Sequence, residues 1–176
     1  MSTSQETCCG TGECSCQSEP KQLHIEFLFL DLSQCERCQG TDSNLDEAIR
    51  EVSGVLTAAG YQVQLDKINI TSKELAIQHQ FLSSPTIRIN GHDIDLEVHE
   101  SNCTDCGDLC GDSVDCRAFV HEGVEYSEPP KAMIIQAIMK EVFGVPKEIR
   151  QAQAYVLPDN LEKFFASLEK RNGNTN

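Results

Sequence analysis

Cys35 and Cys38 lie in the stretch "LSQCERCQG", directly after the apolar run "LHIEFLFL". Two thiols separated by two residues can exchange electrons as a dithiol and a disulfide, supply half of a metal site, or pack as small apolar side chains. They belong to a larger set, because the chain has ten cysteines in 176 residues. A second constellation, "CTDCGDLCGDSVDC", holds Cys103, Cys106, Cys110 and Cys116 at the spacing C-x2-C-x3-C-x5-C. Its first two thiols have the usual spacing of half a tetrahedral zinc site, and its second pair is wider. Four thiolates can also close an iron–sulfur cluster, although the spacing matches neither common ferredoxin run. Disulfides are the third possibility, with three connectivities. A third group, Cys8, Cys9, Cys14 and Cys16, occupies the polar start of the chain.

Composition narrows the setting. Hydrophobic residues make up 39% and charged residues 24%, as in a soluble globular protein, and the length suits one domain with appendages. No apolar run is long enough to span a membrane. The N-terminus lacks a basic segment followed by an apolar one, so no secretory signal is read there. The expected compartment is cytoplasmic, where thiols stay reduced and clustered cysteines point to metal binding or redox catalysis. The net charge is -14. Between Gly91 and Glu128 eleven acids face one base, Arg117, and that segment alone carries -10. Such a field repels phosphate backbones and attracts cations, so nucleic acid is not an expected partner. No nucleotide-binding glycine motif is present.

The elements that must hold these thiols can be read from periodicity. Leu23 to Leu30 is a nearly continuous apolar run and predicts a buried strand. Leu45, Ile49, Val52, Leu56 and Ala59 recur at helical spacing, so a helix is expected over Asn44 to Ala59, ended by Gly60. "QGTDSN" is a poor helix former, and the turn after Cys38 is expected to be loose or interrupted at Gly40. "YQVQLDKINI" alternates as a strand does, and "SKELAIQHQFL" is a short helix opened by Ser72 or Thr71. "PTIRI", the turn Asn90-Gly91 and "DIDLEV" predict a hairpin of two strands. "FVHEGVEY" is one more strand or hairpin, and "PPKAMIIQAIMKEVFG" a helix between Pro and Gly. In "DNLEKFFASLEK", Leu161, Phe164, Phe165 and Leu168 share a helical face. The order β-α-β-α-β-β, an inserted segment and a helix predicts a small α/β sandwich. The Cys35/Cys38 pair falls where the first strand enters the first helix, a place that lowers a thiol's pKa.

This succession, with "SPTIRING" after the second helix, resembles the thioredoxin-like superfamily between Leu23 and about Phe143. The series "SPTIRINGHDIDLE", "CTDCGDLCGD" and "DCRAFVHEGVEYSEPPKAMIIQAI" resembles more closely the thioredoxin-like family catalogued as domain of unknown function 2703. The resemblance implies a three-layer sandwich of residues 21–145 with an acidic, Cys-rich insert at about 97–118. A disordered tail, 1–20, and a C-terminal helical extension, 146–176, would flank it. It also implies that Cys35 is an exposed attacking thiol, Cys38 the resolving thiol and Pro85 a cis residue beside them. Gln34 and Glu36-Arg37 depart from the Trp-Cys-Gly-Pro-Cys of reductases. Arg37 should favour a thiolate and Glu36 oppose it.

Two functions are expected from these features. The favoured one is a thiol–disulfide oxidoreductase using Cys35/Cys38, needing no cofactor and acting on a protein or small-molecule disulfide or thiol. The alternative is a thiolate-rich protein that binds or hands on soft metals on the same fold. Zinc or another thiophilic ion would sit at Cys103, Cys106, Cys110 and Cys116, a unit separate from Cys35/Cys38, and the tail thiols Cys8, Cys9, Cys14 and Cys16 would hand a soft ion such as Cu(I), Zn(II), Hg(II) or As(III) to the body or serve as an internal disulfide substrate for Cys35. His92 and His99 are expected to be exposed rather than ligating.

Overall fold

A computed structural model describes residues 19–145 and 154–173. Strand β1 (Lys21–Phe29) pairs in parallel with β2 (Tyr61–Asn69) on one side and antiparallel with β3 (Thr86–Ile89) on the other. β3 turns through Asn90 and Gly91, both at positive φ, into the two-residue β4 (His92–Asp93). The sheet order is therefore β2-β1-β3-β4. β1 is central, which is why Leu23, Ile25, Phe27 and Leu28 are all fully buried.

Helix α1 (Glu36–Ala58) connects β1 to β2 and packs on β2 and on α4 (Lys131–Phe143). It is continuous through Gly40, contrary to the expected break. Cys38, Thr41 and Leu45 are buried on its inner face, and this packing outweighs the weak propensity of "QGTDSN". A Cβ at Gly40 would meet the Glu128 carboxylate, the free end of a side chain that can swing aside. Helix α2 (Lys73–Gln78) is capped by Ser72, whose side chain accepts from the Leu75 N–H at 3.3 Å.

The expected strand over "DIDLEV" stops at Asp93. Asp93 and Asp95 accept hydrogen bonds from the N–H groups of Asp95 and Glu97, at 3.0 and 3.3 Å. These local bonds replace a ladder. The chain then builds a second sheet, β5-β6-β7. β5 (His99–Asn102) pairs with β6 (Asp115–His121), and the short helix α3 (Thr104–Cys110) joins them. β6 turns at Glu122-Gly123 into β7 (Val124–Tyr126), the hairpin expected for "FVHEGVEY".

Arg117 fixes this second sheet to the first. Its side chain is fully buried, and its guanidinium donates to Thr86 Oγ1 at 2.9 Å, to both Asp93 carboxylate oxygens at 2.7 and 2.8 Å, and to the Asp95 carbonyl at 3.0 Å. The lone base of the acidic segment is thus spent inside the protein. Helix α5 (Asp159–Gly173) buries Leu161, Phe164 and Phe165 and rests on α3 and α2. No helix among the described residues is long and apolar enough to cross a membrane.

Candidate metal centre

Six cysteines fall within the described residues, all buried free thiols. Four of them meet. The Sγ atoms of Cys35, Cys103, Cys106 and Cys116 all lie within 4.8 Å of one another, and those of Cys106 and Cys116 are 3.3 Å apart. Each is at most 3% exposed. Cys8, Cys9, Cys14 and Cys16 lie outside the described residues.

Local structure explains why these four converge. Cys35 is the N-cap of α1 and Cys103 the N-cap of α3. Cys106 stands one turn into α3, so Cys103 and Cys106 share a helix face. Cys116 enters from β6, opposite Ser101 of β5. The Cys103 N–H donates to the Val114 carbonyl at 2.8 Å and closes the loop around α3.

Two contacts hold the insert against α1. Asp105 accepts the Glu36 N–H at 2.8 Å, capping the first turn of α1 from outside. Arg37 donates to Ser101 Oγ at 2.9 Å, to the Asn102 carbonyl at 2.7 Å, and to the Ser101 and Cys116 carbonyls at 3.4 Å. The guanidinium expected to favour a thiolate is therefore bonded to the strand that leads into Cys103 and the strand that carries Cys116. Neither Arg37 nor Asp105 is recognisable in this positioning role from sequence, because both act across the fold.

The grouping differs from the expected one in two respects. Cys110 is absent from it and Cys35 belongs to it. Cys110 follows Cys106 by four residues, which carries it about 6 Å along the axis of α3. Its thiol turns to the Gly107 and Asp112 carbonyls, at 3.8 and 3.7 Å. Cys35 is only 1% exposed, so it is not the open attacking thiol that the resemblance implied. Cys38, outside the group of four, is fully buried with its sulfur 3.5 Å from Ser84 Oγ. The Ser84-Pro85 bond is cis. His92 and His99 stay outside the cluster, on Glu141 and Glu97.

The four thiols share protons unequally. Hydrogen bonds from Cys103, Cys106, Cys116 and Cys38 hold Cys35 far below its ordinary range as a thiolate. Cys103 is drawn down to about 7, chiefly by Cys106 and Cys116. Cys106 and Cys116 are pushed up, each first by its bond with Cys103. Cys38 is pushed up by Cys35 and by burial. Glu128, against Gly40, is also raised, by partial burial and then by the charges of Glu36 and Cys35.

This arrangement suits a soft divalent cation. Four sulfurs about 2.3 Å from a tetrahedral ion stand about 3.8 Å from each other, within the span seen here. Their excess negative charge would sit at the N-terminus of α1 and beside Arg37, both of which offset it.

The family model described as Domain of unknown function (DUF2703) matches residues 23–138, well over half of the chain. The chain belongs to DUF2703. All six buried cysteines of this DUF2703 member fall inside the matched span. An uncharacterised protein of Archaeoglobus fulgidus is 29% identical over 101 residues, covering 56% of this chain and 72% of that protein. No solved structure matches the chain.

Proposed function

We propose that the protein binds a thiophilic metal ion through Cys35, Cys103, Cys106 and Cys116. The observation that carries this reading is the convergence of four buried sulfurs from three separate elements. Thiolate ligands favour Zn(II), Cu(I) and iron–sulfur chemistry over Mg or Ca, and a four-sulfur tetrahedral set favours zinc or an iron–sulfur centre. Such a site belongs in a reducing, cytoplasmic compartment, with soft metal ions as its partners. Metal analysis of anaerobically purified protein tests it directly. Co(II) added to the metal-free protein should give the intense thiolate charge-transfer bands of a four-sulfur site. Cys106→Ser should weaken those bands and Cys110→Ser should leave them. Failure to take up Co(II), or equal damage from both variants, would sink the assignment.

A second reading, dithiol–disulfide exchange through Cys35 and Cys38, is favoured by one specific observation. Cys38 stands one helical turn after Cys35 at the start of α1, and both are buried. The sheet order β2-β1-β3-β4 supports a thioredoxin-like frame for that chemistry. A protein or small-molecule disulfide would be the partner. Cys35→Ser would abolish such exchange, and Cys38→Ser would trap a mixed disulfide.

A further inference from the structure

Cys38 is a buried nucleophile that the metal site does not use. It is fully buried and one helical turn from Cys35, with its sulfur 3.5 Å from Ser84 Oγ. Its partner Cys35 is common to two groups. Cys35 completes the four-sulfur cluster, and it is also the first thiol of a C-x-x-C pair whose second, Cys38, follows one turn later on the buried side of α1. A sulfur bonded in a disulfide no longer offers a thiolate to a metal. The two states of Cys35 therefore exclude each other.

Resting on the metal-centre reading, we infer that the Cys35–Cys38 disulfide is a release switch for the metal, closed by a low-molecular-weight disulfide. The Cys35 thiolate leaves the metal and attacks one sulfur of the disulfide RSSR. A Cys35–S–S–R bond forms and one RS⁻ departs. Cys38 gives its proton to solvent and attacks the Cys35 sulfur, forming Cys35–S–S–Cys38 and expelling the second RS⁻. Two protein thiols are oxidised by two electrons and RSSR is reduced to two thiols. The metal keeps its charge throughout. Three thiolates remain to it from Cys103, Cys106 and Cys116, an incomplete set that gives the ion up. Cys35 is 1% exposed, so the disulfide reaches its sulfur on local opening of the N-terminus of α1, where the flanking Gln34 and Glu36 are exposed.

The experiment uses the full chain, loaded with Zn(II) and exposed to oxidised glutathione. Released zinc is followed with a chromophoric chelator, and disulfides are mapped by peptide mass spectrometry. One zinc should appear per Cys35–Cys38 bridge, and dithiothreitol with added Zn(II) should restore the loaded protein. Cys38→Ser keeps all four cluster thiols, and in a mixture of oxidised and reduced glutathione it should release roughly tenfold less zinc, since free thiol reverses its mixed disulfide and no internal bridge can lock it. Release from Cys38→Ser equal to the wild type in that mixture would overturn the inference. So would a bridge mapped elsewhere in the wild type, zinc that stays bound after the bridge forms, or no bridge at all. In each of those cases the loaded protein still stands as a metal binder. A reduced wild-type chain that takes up no Zn(II) overturns the metal-centre reading as well.

Discussion

Four thiols in one place cannot all be thiolates without a cation, and their unequal protonation sets how a metal enters. Cys35 is held as a thiolate, and Cys103 titrates at about 7. Cys106 and Cys116 are pushed up and keep their protons. Metal binding removes whatever protons remain, so affinity rises with pH. At about pH 8 the ion should displace about two protons, from Cys106 and Cys116, and at about pH 6 about three, because Cys103 has then regained its own. Calorimetry in buffers of different ionisation enthalpy counts them. Four protons released at the higher pH would mean that no thiolate awaits the metal. The role of Arg37 is also settled at this scale. Its planar fork reaches Ser101, Asn102 and Cys116 together, which a lysine cannot do. Arg37→Lys should lower metal affinity by about tenfold, in the range for residues that orient ligands. Competition with a chelator measures it, and an unchanged affinity would mean that the strands hold their place unaided.

At the level of elements, the β1-α1-β2 unit is written plainly in the sequence, and the insert is not. Leu45, Ile49, Val52 and Leu56 announce α1 because one helix face meets one core. "TDCGDLC" announces little, with Leu109 its only large apolar residue. Yet it forms α3, between Cys103 as N-cap and Gly111 in the left-handed conformation at its end. Reading that stretch as a helix would have kept all three on one face and set Cys110 a further turn along the axis, about 6 Å beyond Cys106. The membership of Cys35 had no such signal, since it depends on Arg37 and Asp105 bridging about seventy residues of chain. α3 is too short and polar to stand by itself, and α5 supplies its support. Phe164 is buried, and Arg171 donates to the Asp108 and Leu109 carbonyls at 2.6 and 2.8 Å near the end of α3. Phe164→Ala should cost about 3 kcal/mol. Native-state hydrogen exchange should show α3 opening before β1 does. Uniform loss of protection along the chain would show that α5 supports the whole sandwich instead.

For the molecule as a whole, the acidic charge and the buried Arg117 belong to one design. The insert's acids face solvent while its single base joins the two sheets through Asp93 and Thr86. Asp93 is 22% exposed, so the pair is only partly cut off from water. Arg117→Met should cost about 3 kcal/mol, the lower end for removing one member of a buried pair. Urea unfolding of the metal-free protein measures it without interference from the cluster. A loss near zero would mean that the packing of β5 and β6 joins the sheets without the charge. The spread of the four ligands along the chain has a consequence in time. A ribosome adds about 5–20 residues each second, so Cys35 leaves it several seconds before Cys103. Throughout that interval Cys38 is its close neighbour in the chain, while the three sulfurs of the insert do not yet exist. The competition between bridge and metal at Cys35 thus begins during synthesis, and the reducing power of the surroundings decides it before the fold can.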